Sequence, residues 1–166
     1  MSFGNLNDAL VVPRIKNLCT KVGIKNINNL TYEEIRGDIK VFLEDFLIKI
    51  IILAQYYQKK TISVNIVYMA AEEYLLLSED NINTCKGIPK KFTTCLEFPK
   101  APFLRLIKEI INDLGVSFAV QPKAAVLIQY YVERHILYLL KGARYIMLNS
   151  HRETIFPKDI KLTKTV

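Results

Sequence analysis

The sequence predicts an all-α protein built from two similar units, each a long helix flanked by two short ones, interlocked into one body. Three observations carry this. Glycine and proline number only six each in 166 residues, while isoleucine, leucine and tyrosine run in long stretches, which favours helix over a many-turned β fold. Apolar residues recur at helical spacing over two stretches of roughly 40 Å each. The second loops of the two halves also align, Thr154 standing 93 residues after Thr61, as an internal duplication would place them.

In the first half, Val12, Ile15, Cys19 and Val22 lie on one face of a short helix, and Gly23 closes it. Residues 24–30 are extended and rich in asparagine. Thr31 with Glu34 three residues later reads as a capping box. Ile39, Phe42, Leu43, Phe46, Ile50, Leu53, Ala54 and Tyr57 then carry a helix over residues 31–57, 27 residues in all. The run Lys59-Lys60-Thr61-Ile62-Ser63 breaks it. A third helix carries Ile66, Val67, Ala70, Ala71 and Tyr74.

In the second half, Phe103, Leu106, Ile107, Ile110, Ile111 and Leu114 mark a short amphipathic helix that Gly115 ends. Residues 116–121 are extended, and Pro122 suits the first position of a helix. Apolar residues run on to Leu148, a helix of about 29 residues. Residues 151–155 form the second loop, and Pro157 opens a last helix with Ile160 and Leu162. The first unit is placed at residues 8–77 and the second at 99–166. Residues 78–98, polar and containing Gly87 and Pro89, connect them. Isoleucines at 48, 50, 51 and 52 cannot all face one thin partner, so the long helices are expected to be covered on several sides. The two halves therefore interlock, each long helix crossing the other. The connector makes the pairing intramolecular, at an effective concentration in the ~mM range.

Composition narrows the function. Apolar residues make 51% and charged residues 23%, a globular balance. The net charge of +7 is lopsided: residues 1–85 hold 9 basic and 10 acidic side chains, residues 86–166 hold 14 and 6. A basic second half points to a polyanionic partner. The most apolar run, residues 46–54, is interrupted by Lys49 and too short for a bilayer. The opening MSFGNLNDAL has no charged start followed by an apolar stretch, so no secretory signal is read there. Three cysteines (Cys19, Cys85, Cys95) without a CxxC fit free thiols in a reducing compartment.

Two stretches resemble known proteins. The run LTYEEIRGDIKVFLE at residues 30–44, with Lys59-Lys60-Thr61 after it, resembles the type-four core histone over residues 12–74. Pro102-Phe103, Arg105-Leu106, Glu109-Ile110, Asp113 and TIFPKDI at residues 154–160 resemble the type-three core histone over residues 100–166. Fusion in this order is similar to the histone doublets of giant DNA viruses. The resemblance implies a handshake pseudo-dimer within one chain. It also implies pairing of two chains through the second half into a tetramer-like unit around which double-stranded DNA bends, and a companion doublet resembling the other two core histones. The place implied is the nucleus or viral factory of the host cell and the virion. No small-molecule substrate, cofactor or membrane partner is expected.

Histones hold DNA through phosphates, helix N-termini and loop amides, without reading bases. On that likeness the contacts fall to Lys16, Lys25, Lys59, Lys60 and Thr61 in the first half. In the second half they fall to Lys100, Arg105, Lys108, Lys123, Arg152, Thr154 and Lys158. Arg152 and Asp159 correspond to the family's loop clamp; in the first half the matching pair reads Lys59 and Asn65, and one residue is missing near Val64. Tyr145, Ile146, Asn149, Asp159 and Leu162 correspond to the contact between two chains, with Asn149 where the family has histidine. Two departures stand out. The family's groove arginines are replaced by Asn26 and Ala119, and long lysine-rich tails are absent from the sequence, so wrapping is expected to be looser and more salt-sensitive. The rival expectation is a histone-fold scaffold that binds proteins, with little DNA contact.

Catalysis is not expected. His135 and His151 lie on different elements, and His135, mid-helix among apolar residues, reads as a core or interface residue. Cys85 and Cys95 lie in the connector without the four grouped ligands a zinc site needs. Cys19 reads as a small buried hydrophobe, and Glu33-Glu34 and Glu72-Glu73 point to different sides of their helices. Neither a metal nor a phosphate-cradling glycine loop is read.

Overall fold

The structure, a computed structural model, describes residues 9–74 and 96–165. The first half runs α1 (Val12–Lys21), β1 (Asn26–Ile27), α2 (Asn29–Tyr56), β2 (Thr61–Ile62) and α3 (Val64–Tyr74). The second runs α4 (Lys100–Asp113), β3 (Ala119–Val120), α5 (Pro122–Asn149), β4 (Thr154–Ile155) and α6 (Pro157–Thr165). Both long helices have 28 residues. From the first loop onward each element of the second half begins 93 residues after its counterpart: Ala119 after Asn26, Pro122 after Asn29, Thr154 after Thr61, Pro157 after Val64. Even the turn that ends each long helix repeats, with Gln58 and His151 both at φ 55°. Val64 opens α3 in step with Pro157, so no residue is lost there relative to the second half.

The short strands join the halves. Asn26 pairs with Thr154 and Ile27 with Ile155, while Thr61 pairs with Ala119 and Ile62 with Val120, both in parallel. Each first loop thus lies beside the second loop of the other half, and α2 crosses α5 between the two pairs. The chain is an all-α pair of histone folds interlocked as an intramolecular handshake.

Local chemistry explains the elements. In α1 the buried face is Ile15, Leu18 and Cys19, while Val12 is exposed. Gly23 stands at φ +88°, a left-handed conformation that glycine adopts without strain, and a Cβ there would lie 3.2 Å from Arg144 Nε. Gly115 repeats this after α4 at φ +76°. Helix α2 is capped by Asn28, whose side chain accepts from the Leu30 N–H at 3.0 Å. The expected capping box at Thr31 is therefore not used. Thr31 is fully buried inside the helix and donates its hydroxyl to the Ile155 carbonyl at 3.2 Å.

The core is shared. Phe42, Phe46, Leu47 and Ile50 of α2 pack with Leu127, Ile128, Val132 and Ile136 of α5, all buried. Each such side chain contributes about 1.5–3 kcal/mol. The cover expected on several sides of α2 does not reach all four isoleucines: Ile50 and Ile51 are buried, but Ile48 is 40% and Ile52 57% exposed. Together with Val41 they form a stripe facing away from α5, because a two-body handshake covers only the faces turned inward.

The end of the connector belongs to the fold. Phe98 is buried and stacks on Phe103 with centroids 6.3 Å apart. The Glu97 and Phe98 amides donate to Glu133 of α5, and Gln129 Nε2 donates to the Phe98 carbonyl at 2.7 Å. Residues 75–95, with Cys85 and Cys95, lie outside the described residues.

Candidate nucleic-acid interface

The loop pairing creates two composite ends. At the first, β1 lies against β4, and the following helices α2 and α6 both begin there. At the second, β2 lies against β3, and α3 and α5 begin there. Each end therefore presents two helix N-termini, whose dipoles favour anions.

The first end holds an open cleft of about 430 Å³ lined by Lys16, Lys25, Asn26, Ile27, Asn29, Tyr32 and Thr154. Lys16 comes from α1, Lys25 and Asn26 from the first loop, and Thr154 from the other half. The backbone is fixed by the Asn28 N–H donating to the Ile155 carbonyl at 3.0 Å. Beside it, Arg152 and Asp159 form a two-pronged ion pair, Nη2 to Oδ1 at 2.6 Å and Nη1 to Oδ2 at 3.0 Å. Asp159 also accepts from the Phe156 N–H at 2.9 Å, and Arg152 reaches the Thr154 carbonyl at 3.3 Å. Burial pushes the Asp159 carboxyl up, but the Arg152 guanidinium and the Phe156 amide outweigh it, so it titrates below its ordinary range. The hydrogen bond to Asp159 in turn raises Arg152. The Phe156 ring takes both Arg152, at 5.0 Å, and Lys158, at 5.8 Å.

The second end is plainer. Lys59 and Lys60 are exposed and Thr61 is half-buried; Lys123 is exposed in the first turn of α5. The Ala119 N–H donates to the Lys60 carbonyl at 3.1 Å, and the Gln121 N–H to the Ile62 carbonyl at the same distance. The clamp has no counterpart here. By the repeat of 93 residues the position of Asp159 is filled by Ile66, which is buried, and not by Asn65, which is exposed. The pairing of Lys59 with Asn65 read from the sequence is corrected accordingly.

Lys100, Arg105 and Lys108 are exposed on α4. Asn26 and Ala119, which the sequence resemblance aligns with the family's groove arginines, are exposed next to Thr154 and Thr61. Among the residues read for contact between chains, Tyr145 is 66% and Leu162 50% exposed, Asn149 is exposed and Ile146 half-buried. Asp159 does not line that surface, being fully buried with both oxygens engaged. Leu148, missed in the sequence, is 46% exposed one turn from Tyr145. Asn29 and Tyr32 of the cleft were missed as well. Only the pairing of distant loops brings them beside Thr154, so the sequence carries no local signal for them.

His135 sits at the crossing of the long helices, Nε2 3.0 Å from Asp38 Oδ2, its ring stacked on Phe42 at 4.0 Å. Among the described residues no group of three or more His, Cys, Asp or Glu is arranged to hold a metal, and no helix is long and apolar enough to cross a membrane.

Two short–long–short units crossing at their long helices, each first loop joined to the other's second loop, define the class of histone-fold proteins. Residues 86–164 match the core histone domain, the family that takes in all four core histone types. Over 76 residues the chain is 36% identical to the histone H3-like centromeric protein A of Bos taurus, covering 45% of this chain and 55% of that protein. The chain thus spans about half the length of that curated relative. The crystal structure of the histone from Methanopyrus kandleri superposes with a TM-score of 0.64 at 14% identity, covering 91% of this chain and 90% of that one. The shared fold therefore takes in both halves. The family match lies in the second half of the chain, and the likeness of fold extends over the first.

Proposed function

We propose that this chain packages double-stranded DNA as a histone doublet, with a type-four-like half over residues 8–77, a connector at 78–98 and a type-three-like half over 99–166. The first paired-loop end carries the reading. Lys16, Lys25, Asn29 and Thr154 converge there on one cleft beside two helix N-termini and a clamped arginine, a set suited to backbone phosphates. Lys59, Lys60, Thr61 and Lys123 serve the second end, and Lys100, Arg105 and Lys108 the surface of α4. Two chains join through Tyr145, Ile146, Leu148, Asn149 and Leu162 into a tetramer-like core. The exposed Ile48, Ile52 and Tyr56 of α2 await a companion doublet. The place of action is the nucleus or viral factory and the virion, as for the viral doublets the sequence resembles.

Nuclease digestion of long DNA mixed with the chain at near-physiological salt tests this. A discrete protected fragment is expected, alone or with a companion histone. A log–log salt titration of binding should fall steeply, and a slope near zero refutes the reading. A second reading, a protein-binding scaffold, is favoured by the apolar stripe of Val41, Ile48 and Ile52 and by the uncharged Asn26 and Ala119. It predicts uniform digestion under every condition.

A further inference from the structure

Nothing in the backbone prevents a half from pairing with its own kind. The halves repeat at 93 residues, and the same shift exchanges the two strand pairs, Asn26 with Thr154 and Thr61 with Ala119. A pseudo-twofold axis therefore passes through the crossing of α2 and α5. Phe42 and His135 are counterparts across it, and their rings stack there at 4.0 Å.

The side chains around this axis are not symmetric. On one side Asp38 Oδ2 lies 3.0 Å from His135 Nε2, and Asp38 Oδ1 lies 3.2 Å from Lys164 Nζ. Lys164 also reaches Glu34 Oε1 at 3.2 Å. All three contacts join one half to the other. On the opposite side the counterparts of Asp38, His135, Glu34 and Lys164 are Tyr131, Phe42, Leu127 and Ala71, none of them charged. Tyr131 there sets its ring edge against Phe46 at 5.9 Å. The Asp38 side chain is only 12% exposed, so its charge depends on its partners.

We propose that this one-sided cluster, Asp38 and Glu34 against His135 and Lys164, makes each half pair with the other kind and reject its own. In a pair of two first halves, Asp38 meets Phe42 and Phe46 of the other copy on both sides of the axis, and Glu34 meets Ala71. Four carboxylates lose their cations. In a pair of two second halves, His135 stacks on His135, and Lys164 meets Tyr131 and Leu127. Each like pair thus leaves charge unpaired in a largely buried crossing, while the mixed pair satisfies it. Core volumes differ across the axis as well, Ile50 answering to Ala143 and Ala54 to Met147, so packing adds to the selection that the charges make. The connector raises local concentration but chooses no partner.

The test uses the full chain cut once between its folded halves, at a protease site introduced between residues 78 and 94. The nicked protein is unfolded, refolded and weighed by native mass spectrometry, which separates mixed from like pairs. The unsubstituted sequence should return the mixed pair alone. Asp38→Tyr combined with His135→Phe makes the centre of the cluster alike on both sides, and like pairs should rise at least about tenfold. Asp38→Asn, which removes charge with little change of shape, should give a smaller rise and serves if the double variant does not fold. A statistical mixture without substitution, or no rise in either variant, overturns the proposal. If the nicked halves do not reassemble, the intact chain decides. With Cys85 and Cys95 replaced by serine, Asn26→Cys and Thr61→Cys become neighbours only between two like-paired first halves. Refolding near 1 mM, where a second chain competes with the connector, should yield disulfide-linked dimers when Asp38→Tyr and His135→Phe are also present. Their absence there overturns the proposal.

Discussion

Removing the Asp159 carboxylate should loosen the first paired-loop end and destabilise the whole chain. Asp159 is fully buried and accepts three hydrogen bonds, two from Arg152 and one from the Phe156 amide. In Asp159→Ala the Phe156 amide is left without its acceptor, at about 1–1.5 kcal/mol, and the vacated space adds a cavity cost. Arg152 rehydrates at the surface, so the Coulombic part of the pair is discounted. A total of about 2 kcal/mol follows, a fall in Tm of roughly 4–8 °C for a chain of this size. Asp159→Asn keeps the amide bond and should lose about half as much. The folded-state pKa of Asp159 lies below the ordinary 3.8. Its contribution is therefore present above 3.8 and lost as pH falls through the folded value. Circular dichroism melts at pH 7 and in steps below pH 4 measure both effects. A Tm change under about 1 °C at pH 7, or a difference between Asp159→Asn and the unsubstituted chain that does not shrink in acid, refutes the reasoning.

Three further outcomes are expected. A Cβ at Gly142 would lie 2.6 Å from Thr163 Cγ2, whereas one at Gly37 meets nothing within 4 Å. In urea unfolding, Gly142→Ala should cost about 1–3 kcal/mol and Gly37→Ala should gain up to about 1 kcal/mol, the same change with opposite signs. Burial pushes the Cys19 thiol up to about 12, so brief alkylation followed by mass spectrometry should leave Cys19 unmodified until the chain unfolds. Burial raises Glu133 above its ordinary 4.5 despite the amides of Phe98 and Glu97. Its ionised form therefore opposes folding, and stability should grow as pH falls through the raised value toward 4.5. Glu133→Gln should abolish that rise in unfolding free energy.

Much of the fold was legible because helical periodicity depends on which residues are apolar, and the handshake buries long apolar faces. Gly23, Gly115 and Pro122 marked true boundaries because each answers a local backbone need. The cap of α2 was misplaced for a non-local reason. Asn28 and Thr31 are both good capping residues, and the choice falls to Asn28 because the Ile155 carbonyl, 124 residues from Thr31, claims the threonine hydroxyl. Ile48 and Ile52 were expected under cover because periodicity does not say which apolar face another protein covers. The Arg152–Asp159 pair could be read because the segment that holds both partners resembles the family's loop clamp. The cleft could not be read whole, since Asn29 and Tyr32 meet Thr154 only through strand pairing.

The twofold repeat of the backbone makes the differences between its two ends informative. Both ends pair a first loop with a second loop, and two helices begin at each, so their backbone contribution to holding an anion is alike. What differs is how firmly the side chains are held. At the first end Arg152 is fixed by a buried carboxylate and leans on Phe156. At the second, Ile66 takes the place of that carboxylate and Lys59 and Lys60 stand free in solvent. A fixed guanidinium loses little side-chain entropy on meeting a phosphate, whereas an exposed lysine loses more. On the proposed reading, DNA crossing this chain would be held geometrically at one end and mainly by screened charge at the other, and salt would release the second end first.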